Sequence, residues 1–475
     1  MKRICVIGAG PAGLTAALLL AKSRKFEVHL YESDTQVGGM AKSFELWGQR
    51  VDLGPHRFFS GDRRVNEIWL EAIGRDYEMV SRLTRIYYKG KFFYYPLKAM
   101  NALQNLGWIE AFVCVMSYLR YRAFPLRDES TFEAWVTNRF GRRLYEIFFR
   151  TYTEKLWGVS CTELDKEFAA QRIKKFTLLE AVKNAVFGGS NRHQTLVDLF
   201  AYPKEGAGQV YENMADRFVE SGGHLHLGTA VKRVVSTDHR SSVVELQDGT
   251  MPNFDHVISS MPLTTLVKYL EGVPGHVFEA CSFLRYRNTI LVYLLVDNAK
   301  VMPDQWIYIH SPDVLSGRLT NFANWTDGIR KGQRQTILAL EYWCFETDEI
   351  WSKDEQSLVQ AANEDIVKTG LVGREQILAG RVVRIPRCYP VYDRGYQSHL
   401  GVIENYLRTL PSLTPIGRYG SFKYNNQDHS ILMGRLAAEN LISSAGHDLW
   451  SVNTDYEYQE ASVITETGLE LQKKE

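Results

Sequence analysis

The chain has 475 residues, 45% hydrophobic and 23% charged, and its 56 Lys and Arg against 55 Asp and Glu leave a formal charge of +1. This composition excludes disorder and collagen-like structure, and the length exceeds what a single hydrophobic core supports, so two or three lobes are expected. The balanced charge removes the electrostatic ground for nucleic-acid binding, while an aromatic share of 12% stands out.

Residues 3–7 are apolar enough for a buried parallel strand. They run into Gly8-Ala9-Gly10-Pro11-Ala12-Gly13 and an Ala/Leu-rich helix over 14–22. Gly8 permits a tight turn, Gly10 lets a pyrophosphate approach the backbone, and Gly13 lets helix and strand pack closely. The helix start at Pro11-Ala12 offers free N–H groups, which Pro11 itself lacks, to phosphate. A second strand over 27–31 ends at Glu32, 19 residues beyond Gly13, where an acidic residue meets a ribose hydroxyl, and Ser33 follows it. The paired Gly38-Gly39, followed by Met40, looks like the second phosphate-contacting turn of the glutathione-reductase-type FAD fold. That selects FAD over NAD as the cofactor. Val51-Asp52-Leu53-Gly54-Pro55-His56 comes next.

Residues 97–200 read as helical, with a capping-box spacing from Ser130 to Glu133 and Leu144, Ile147 and Phe148 at helical intervals. The most apolar stretch, Trp108 to Phe124, is interrupted by Glu110, Arg120 and Arg122. It is expected to be a core helix of a helical lobe rather than a membrane-surface helix, and no run reaches the ~18 apolar residues of a transmembrane segment. Gly222-Gly223, a strand through His224 and His226, a strand from Val231, a hairpin at Asp248-Gly249 and a strand closing on Ser259-Ser260-Met261-Pro262 form the second half of the FAD domain. His224 and His226 share a strand face without a third ligand, so no metal is expected. Strand-length runs over 289–296, 335–342 and 381–385 predict an antiparallel sheet.

The predicted fold class is therefore α/β: a Rossmann-like FAD-binding domain interrupted by a helical domain and an antiparallel β-sheet domain. The expected boundaries are FAD-binding segments over 1–78, 201–276 and 396–450, sheet-domain segments over 79–96 and 277–395, and a helical domain over 97–200. A loose polar tail is expected over 451–475. The N-terminus lacks the apolar core of a signal peptide, and the six cysteines are widely spaced, as in reduced cytoplasmic proteins.

The run Gly417-Arg418-Tyr419-Gly420-Ser421-Phe422-Lys423-Tyr424-Asn425-Asn426-Gln427-Asp428-His429-Ser430 resembles the flavin-dependent UDP-galactopyranose mutase family. So do Gly54-Pro55-His56, Tyr95-Pro96, Lys155-Leu156-Trp157-Gly158 leading to Gln171-Arg172, and Trp306 to Arg318. The resemblance implies that reduced FAD attacks, through N5, the anomeric carbon of a nucleotide sugar, and that the sugar recloses as a furanose with no net redox. It implies Arg172, Arg318, Tyr396 and Tyr424 on the diphosphate and His56 beside the flavin. Tyr95, Lys98, Thr153, Trp157, Trp306 and Tyr308 would line the nucleotide-sugar cleft. Arg418, Gln427, Asp428 and Ser430, with Val231 and Met261, would contact the cofactor.

Lys98 stands where the family commonly has a base-contacting glutamine, and Thr153 where it has an asparagine, which leaves the nucleotide and sugar open. The reductant, NAD(P)H or another, is open as well, as is a homo-oligomer. The same dinucleotide fingerprint also serves oxidases and dehydrogenases of the amine-oxidase, protoporphyrinogen-oxidase and phytoene-desaturase group, which is the alternative reading. On a third reading it belongs to a binding protein of the Rab escort or GDP-dissociation-inhibitor kind. The intact glycines and Glu32 argue against that one.

Overall fold

The computed structural model describes residues 1–166, 199–237, 241–452 and 462–471. An α/β architecture results, built on two large sheets. The first is a five-stranded parallel sheet ordered Leu413–Pro415, His256–Ser259, Lys2–Ile7, Phe26–Tyr31 and His224–His226. Its central strand, Lys2–Ile7, is apolar on both faces because both are covered. Helices Pro11–Lys22, Gly208–Glu220 and Gln427–Ser443 pack together over one face. A three-stranded sheet, Val231–Thr237, Ser241–Leu246 and Asn253–Phe254, covers the other, and Asp248-Gly249 makes the turn between its last two strands.

The second sheet has seven strands, ordered Ile377–Pro390, Tyr286–Val296, Thr336–Cys344, Arg318–Asn321, Trp306–Ile309, Thr84–Tyr88 and Lys91–Tyr94. All neighbours are antiparallel except Trp306–Ile309 and Thr84–Tyr88. Alternation along the strands divides its residues between two cores. Ile290, Val292, Leu319, Leu338 and Leu340 pack under helix Glu355–Lys368, while Leu291, Tyr293, Trp306, Ala339 and Trp343 face the dinucleotide-type domain. Glu341 and Arg318 lie on that second face as a cross-strand pair, next to Tyr308.

Three expectations need correction. Helix Phe132–Phe140 is capped by Thr131, whose hydroxyl accepts from Ala134 N at 3.2 Å, and not by Ser130. Helix Trp108–Ala123 is not a core helix: it buries Cys114 against the outer strand pair and leaves most of its apolar residues exposed. The described part of the tail is a hairpin, Ser462–Thr465 with Gly468–Leu471. It is held by the Tyr77 hydroxyl donating to Thr465 O at 2.6 Å, with Ile464 packed on the core. All six cysteines are unpaired and buried. Among the described residues, no helix is long and apolar enough to cross a membrane.

Candidate functional site

Close approach explains the glycines of the first turn. A Cβ on Gly13 would stand 1.9 Å from Gly8 O, and one on Gly8, at φ +96°, would stand 2.3 Å from Ser260 Oγ. Gly10 and Gly39 face each other, a Gly39 Cβ lying 3.1 Å from Gly10 Cα, so the two glycine turns form one cradle. Gly10 is the N-cap of helix Pro11–Lys22 and provides no side-chain cap, which leaves the first N–H groups for an anion. Gly38 N donates to Ala9 O at 2.8 Å, and Met40 continues that turn. Glu32 accepts from Ala9 N at 2.8 Å and from Asp34 N at 2.9 Å, and exposed Ser33 donates to it at 3.1 Å. Thr229 N bonds Glu32 O, bringing the strand that begins at Val231 to the same end of the sheet. Met261 follows strand His256–Ser259, the neighbour of the central strand, and is partly exposed.

The last long helix opens at Gln427, with Asp428 and Ser430 buried in its first turn. Gln427 Nε2 donates to His56 O at 2.9 Å, and its Oε1 accepts from the Tyr211 hydroxyl at 2.6 Å, so the His56 loop is fixed to that helix. Burial, with Arg318 and Arg418 nearby, lowers the His56 pKa to about 3. His56 is therefore neutral, and its Nδ1 is buried without a hydrogen-bond partner among the described residues.

Beside this loop lies the Arg318–Glu341 pair. Arg318 Nε and Nη2 each donate to a Glu341 carboxylate oxygen at 2.6 Å, and Nη2 also reaches the Tyr389 hydroxyl at 3.4 Å. Burial opposes the arginine's charge, but the carboxylate outweighs it and holds the pKa well above the ordinary value. Nη1 makes no hydrogen bond to the described residues. A Cβ on Gly54, at φ +96°, would stand 3.4 Å from Glu341 Oε1 and 3.8 Å from Arg318 Nη2, so the turn before His56 rests on the pair.

A second guanidinium, Arg418, donates to Cys388 O and Asn425 O at 2.9–3.2 Å and lies over the rings of Tyr389 and Tyr424, at 4.9 and 4.4 Å. Tyr389 stacks on Tyr424 at 5.5 Å. Tyr424 N donates to the Tyr392 hydroxyl at 2.9 Å, and Tyr392 stacks on Tyr396 at 4.5 Å, which brings Tyr396 and Tyr424 into one aromatic chain. On the other side Tyr308 meets Tyr95, Tyr152 and Trp306 at 5.3, 5.4 and 6.3 Å.

The remaining expected positions differ in burial. Trp157 is 1% exposed and meets the rings of Tyr389 and Tyr424, each at 6.1 Å, and Trp306 is 4% exposed and stacks on Trp325. Thr153 is buried. Lys98 is exposed, and its ammonium lies over the Tyr94 ring at 4.6 Å. Arg172 lies outside the described residues.

The structure also adds residues that sequence reasoning missed: Glu341, Tyr389, Tyr392, Asp52 and the role of Lys155. Glu341 sits in the fully buried strand Thr336–Cys344, and a carboxylate in so apolar a run was a signal. Lys155 donates to four carbonyls of the 309–316 loop at 2.5–3.3 Å, and burial lowers its pKa to about 8. It fastens helix Thr151–Trp157 to the strand that presents Arg318. His224 and His226 do acquire company, since His29 Nδ1 lies 3.2 Å from His226 Nε2 and its Nε2 lies 2.9 Å from Glu27. The atoms of Glu27, His29 and His224 fall within 4.8 Å of one another. The imidazoles lie face to face, however, and Glu27 is paired with Arg3, as in a stacked polar edge.

A parallel dinucleotide-type domain, a glycine cradle at its helix start and a second sheet roofing it define a flavoprotein class. Residues 11–370 match the family model described as flavin containing amine oxidoreductase, and the chain belongs to that family. It is 24% identical over 327 residues to a probable UDP-galactopyranose mutase from Klebsiella pneumoniae, covering 63% of this chain and 73% of that one. It is also 24% identical over 319 residues to a zeta-carotene-forming phytoene desaturase from Myxococcus xanthus, of which it spans 60%, with 62% of this chain matched. Among solved structures, reduced UDP-galactopyranose mutase superposes with a TM-score of 0.84 at 21% identity, over 96% of both chains. A flavin cofactor follows from the family, and the cradle fits it: a Gly10–Gly39 gap without side chains faces free helix N–H groups.

Proposed function

We propose that the protein is an FAD-dependent nucleotide-sugar mutase that interconverts pyranose and furanose forms without net redox, acting in the cytoplasm. The observation that carries this reading is a guanidinium held charged beside the His56 loop, Arg318 on Glu341, within a ring of tyrosines. An oxidase of amines or carotenes has no use for such a cation. Bound and reduced, FAD supplies the nucleophile for the anomeric carbon.

The chain's own residues hold the rest. Arg318 meets the diphosphate through the nitrogen Glu341 leaves unbonded, and Arg172 supplies a second guanidinium for the leaving group. The hydroxyls of Tyr389, Tyr396 and Tyr424 donate to the same oxygens, keeping the nucleotide in position for its return. His56 is neutral across the physiological range and contributes through its backbone and its packing, not as a proton carrier. Tyr308 and Tyr95 line the nucleotide-sugar cleft, and Lys98 and Thr153 are the positions that set the base.

The test is anaerobic incubation of dithionite-reduced protein with a panel of nucleotide sugars, followed by chromatography. Furanose product from reduced enzyme and none from oxidised enzyme is expected. Arg318→Ala and Arg172→Ala should lose turnover while retaining flavin. Turnover by oxidised enzyme, or no product from any sugar together with oxidation of an amine or polyene, overturns the proposal in favour of an oxidoreductase. The Myxococcus relative favours that second reading.

A further inference from the structure

Helix Trp108–Ala123 turns a broad apolar face outward, with Trp108, Ile109 and Phe112 exposed to 78%, 84% and 65%, and Val115, Met116 and Leu119 exposed beside them. At about 100° per residue, Trp108, Phe112, Val115 and Leu119 share one side, with Arg122 at one border of the face and Arg120 at the other. Phe124 and Leu126 continue the apolar surface past the helix end, and Met100 adds to it from the preceding helix, Ala99–Leu106. The inner side carries Cys114, packed on Ile86, Phe93, Ile147 and Phe148, so the exposed face is not a misjudged core stripe.

Charge selects what covers this face. Residues 82–127 contain eight Lys or Arg and one acid, Glu110, a local excess of +7 in a chain whose total is +1. Glu110 is bonded by Arg143, and Arg85 is bonded by Asp304. Lys89, Lys91, Lys98, Arg120, Arg122 and Arg127 remain exposed. The acids that follow, Asp128 and Glu129, are engaged by Ser130 N and Arg139. A second copy meeting this face would bring the same excess against itself. An anionic surface would not, and Trp, Phe and Leu bordered by arginine are the composition of a helix lying in a lipid interface.

We propose that helix Trp108–Ala123 seats the protein, without crossing the bilayer, on an anionic phospholipid surface, apolar face down and arginines at the headgroups. The proposal does not depend on the reaction catalysed. The test is co-sedimentation of the full flavin-loaded chain with vesicles of phosphatidylcholine alone or with about 30% phosphatidylglycerol. The same samples go to light scattering for mass, and far-UV circular dichroism checks each variant's fold.

Binding to the anionic vesicles, weakened by salt, is expected. Arg120→Gln and Arg122→Gln should each reduce it about fivefold. Ile109→Ser with Phe112→Ser should reduce it at least about tenfold while the dichroism is unchanged. Failure of wild type to bind, equal binding to neutral vesicles, or a folded serine variant that binds like wild type overturns the proposal. So does a wild-type dimer that the serine pair converts to monomer while vesicles are ignored, since a second copy would then own the face.

Discussion

Removing one partner of the Arg318–Glu341 pair should cost far more than removing both. Glu341→Ala deletes two charge-assisted bonds of 2.6 Å and strands a guanidinium whose side chain is only 15% exposed. Breaking a buried pair in this way costs about 3–5 kcal/mol, whereas replacing both ions by apolar residues of similar size is neutral or better. The expected loss for Glu341→Ala is roughly 3–5 °C in Tm for a chain of this length. Arg318→Met combined with Glu341→Leu should recover most of it, because the nearby Trp343 and Leu291 already make that face apolar. The assay is thermal unfolding of wild type, Glu341→Ala, Arg318→Met and the double variant at fixed flavin concentration, with turnover of reduced enzyme measured in parallel. The double variant should be stable and inactive, which separates the structural work of the pair from its work on the substrate. A Glu341→Ala variant within about 2 °C of wild type, or a double variant as unstable as the singles added together, would refute the reasoning.

Gly13→Ala forces a methyl against Gly8 O at 1.9 Å and should yield little folded protein. Gly10→Ala, whose Cβ lies 3.9 Å from the nearest chain atom, should fold normally but bind FAD at least about tenfold more weakly by equilibrium dialysis. Tyr389→Phe removes the hydroxyl beside Arg318 and should change Tm by less than about 2 °C while lowering kcat; an unchanged kcat would take Tyr389 out of the site. Burial raises the Asp52 pKa to about 6 from 3.8, against bonds from Ser43, Tyr202 and Ala207. Since the folded value is the higher one, the carboxyl's contribution to stability is full below pH 3.8 and is lost as pH rises through about 6. Relative to wild type, Asp52→Asn should therefore gain up to about 3 kcal/mol on going from acid to neutral pH, read from urea titrations; a difference that does not vary with pH would contradict the assignment.

What the sequence determined by itself was local. Gly8, Gly10, Gly13 and Glu32 lie within one strand–turn–helix–strand unit, where spacing along the chain is spacing in space, so the cradle was legible from the motif. The buried parallel strand over 3–7 and the strand-length runs of the second sheet were legible from hydrophobic pattern in the same way. Glu341 and Tyr389 were not legible, because each acquires its meaning from a partner on another strand or loop: Glu341 is 23 residues from Arg318 and Tyr389 is 71. Pairing register alone sets Tyr308, Arg318 and Glu341 in a row. Trp157 and Trp306 show the same limit from the other side, since a motif places an aromatic in the chain while only packing sets its burial, 1% and 4% exposed here. The apolar run from Trp108 forms the expected helix, but its apolar side faces outward and not into a core. Periodicity shows that a helix has an apolar side, but which side finds a partner depends on the sheet edge that Cys114 happens to cover.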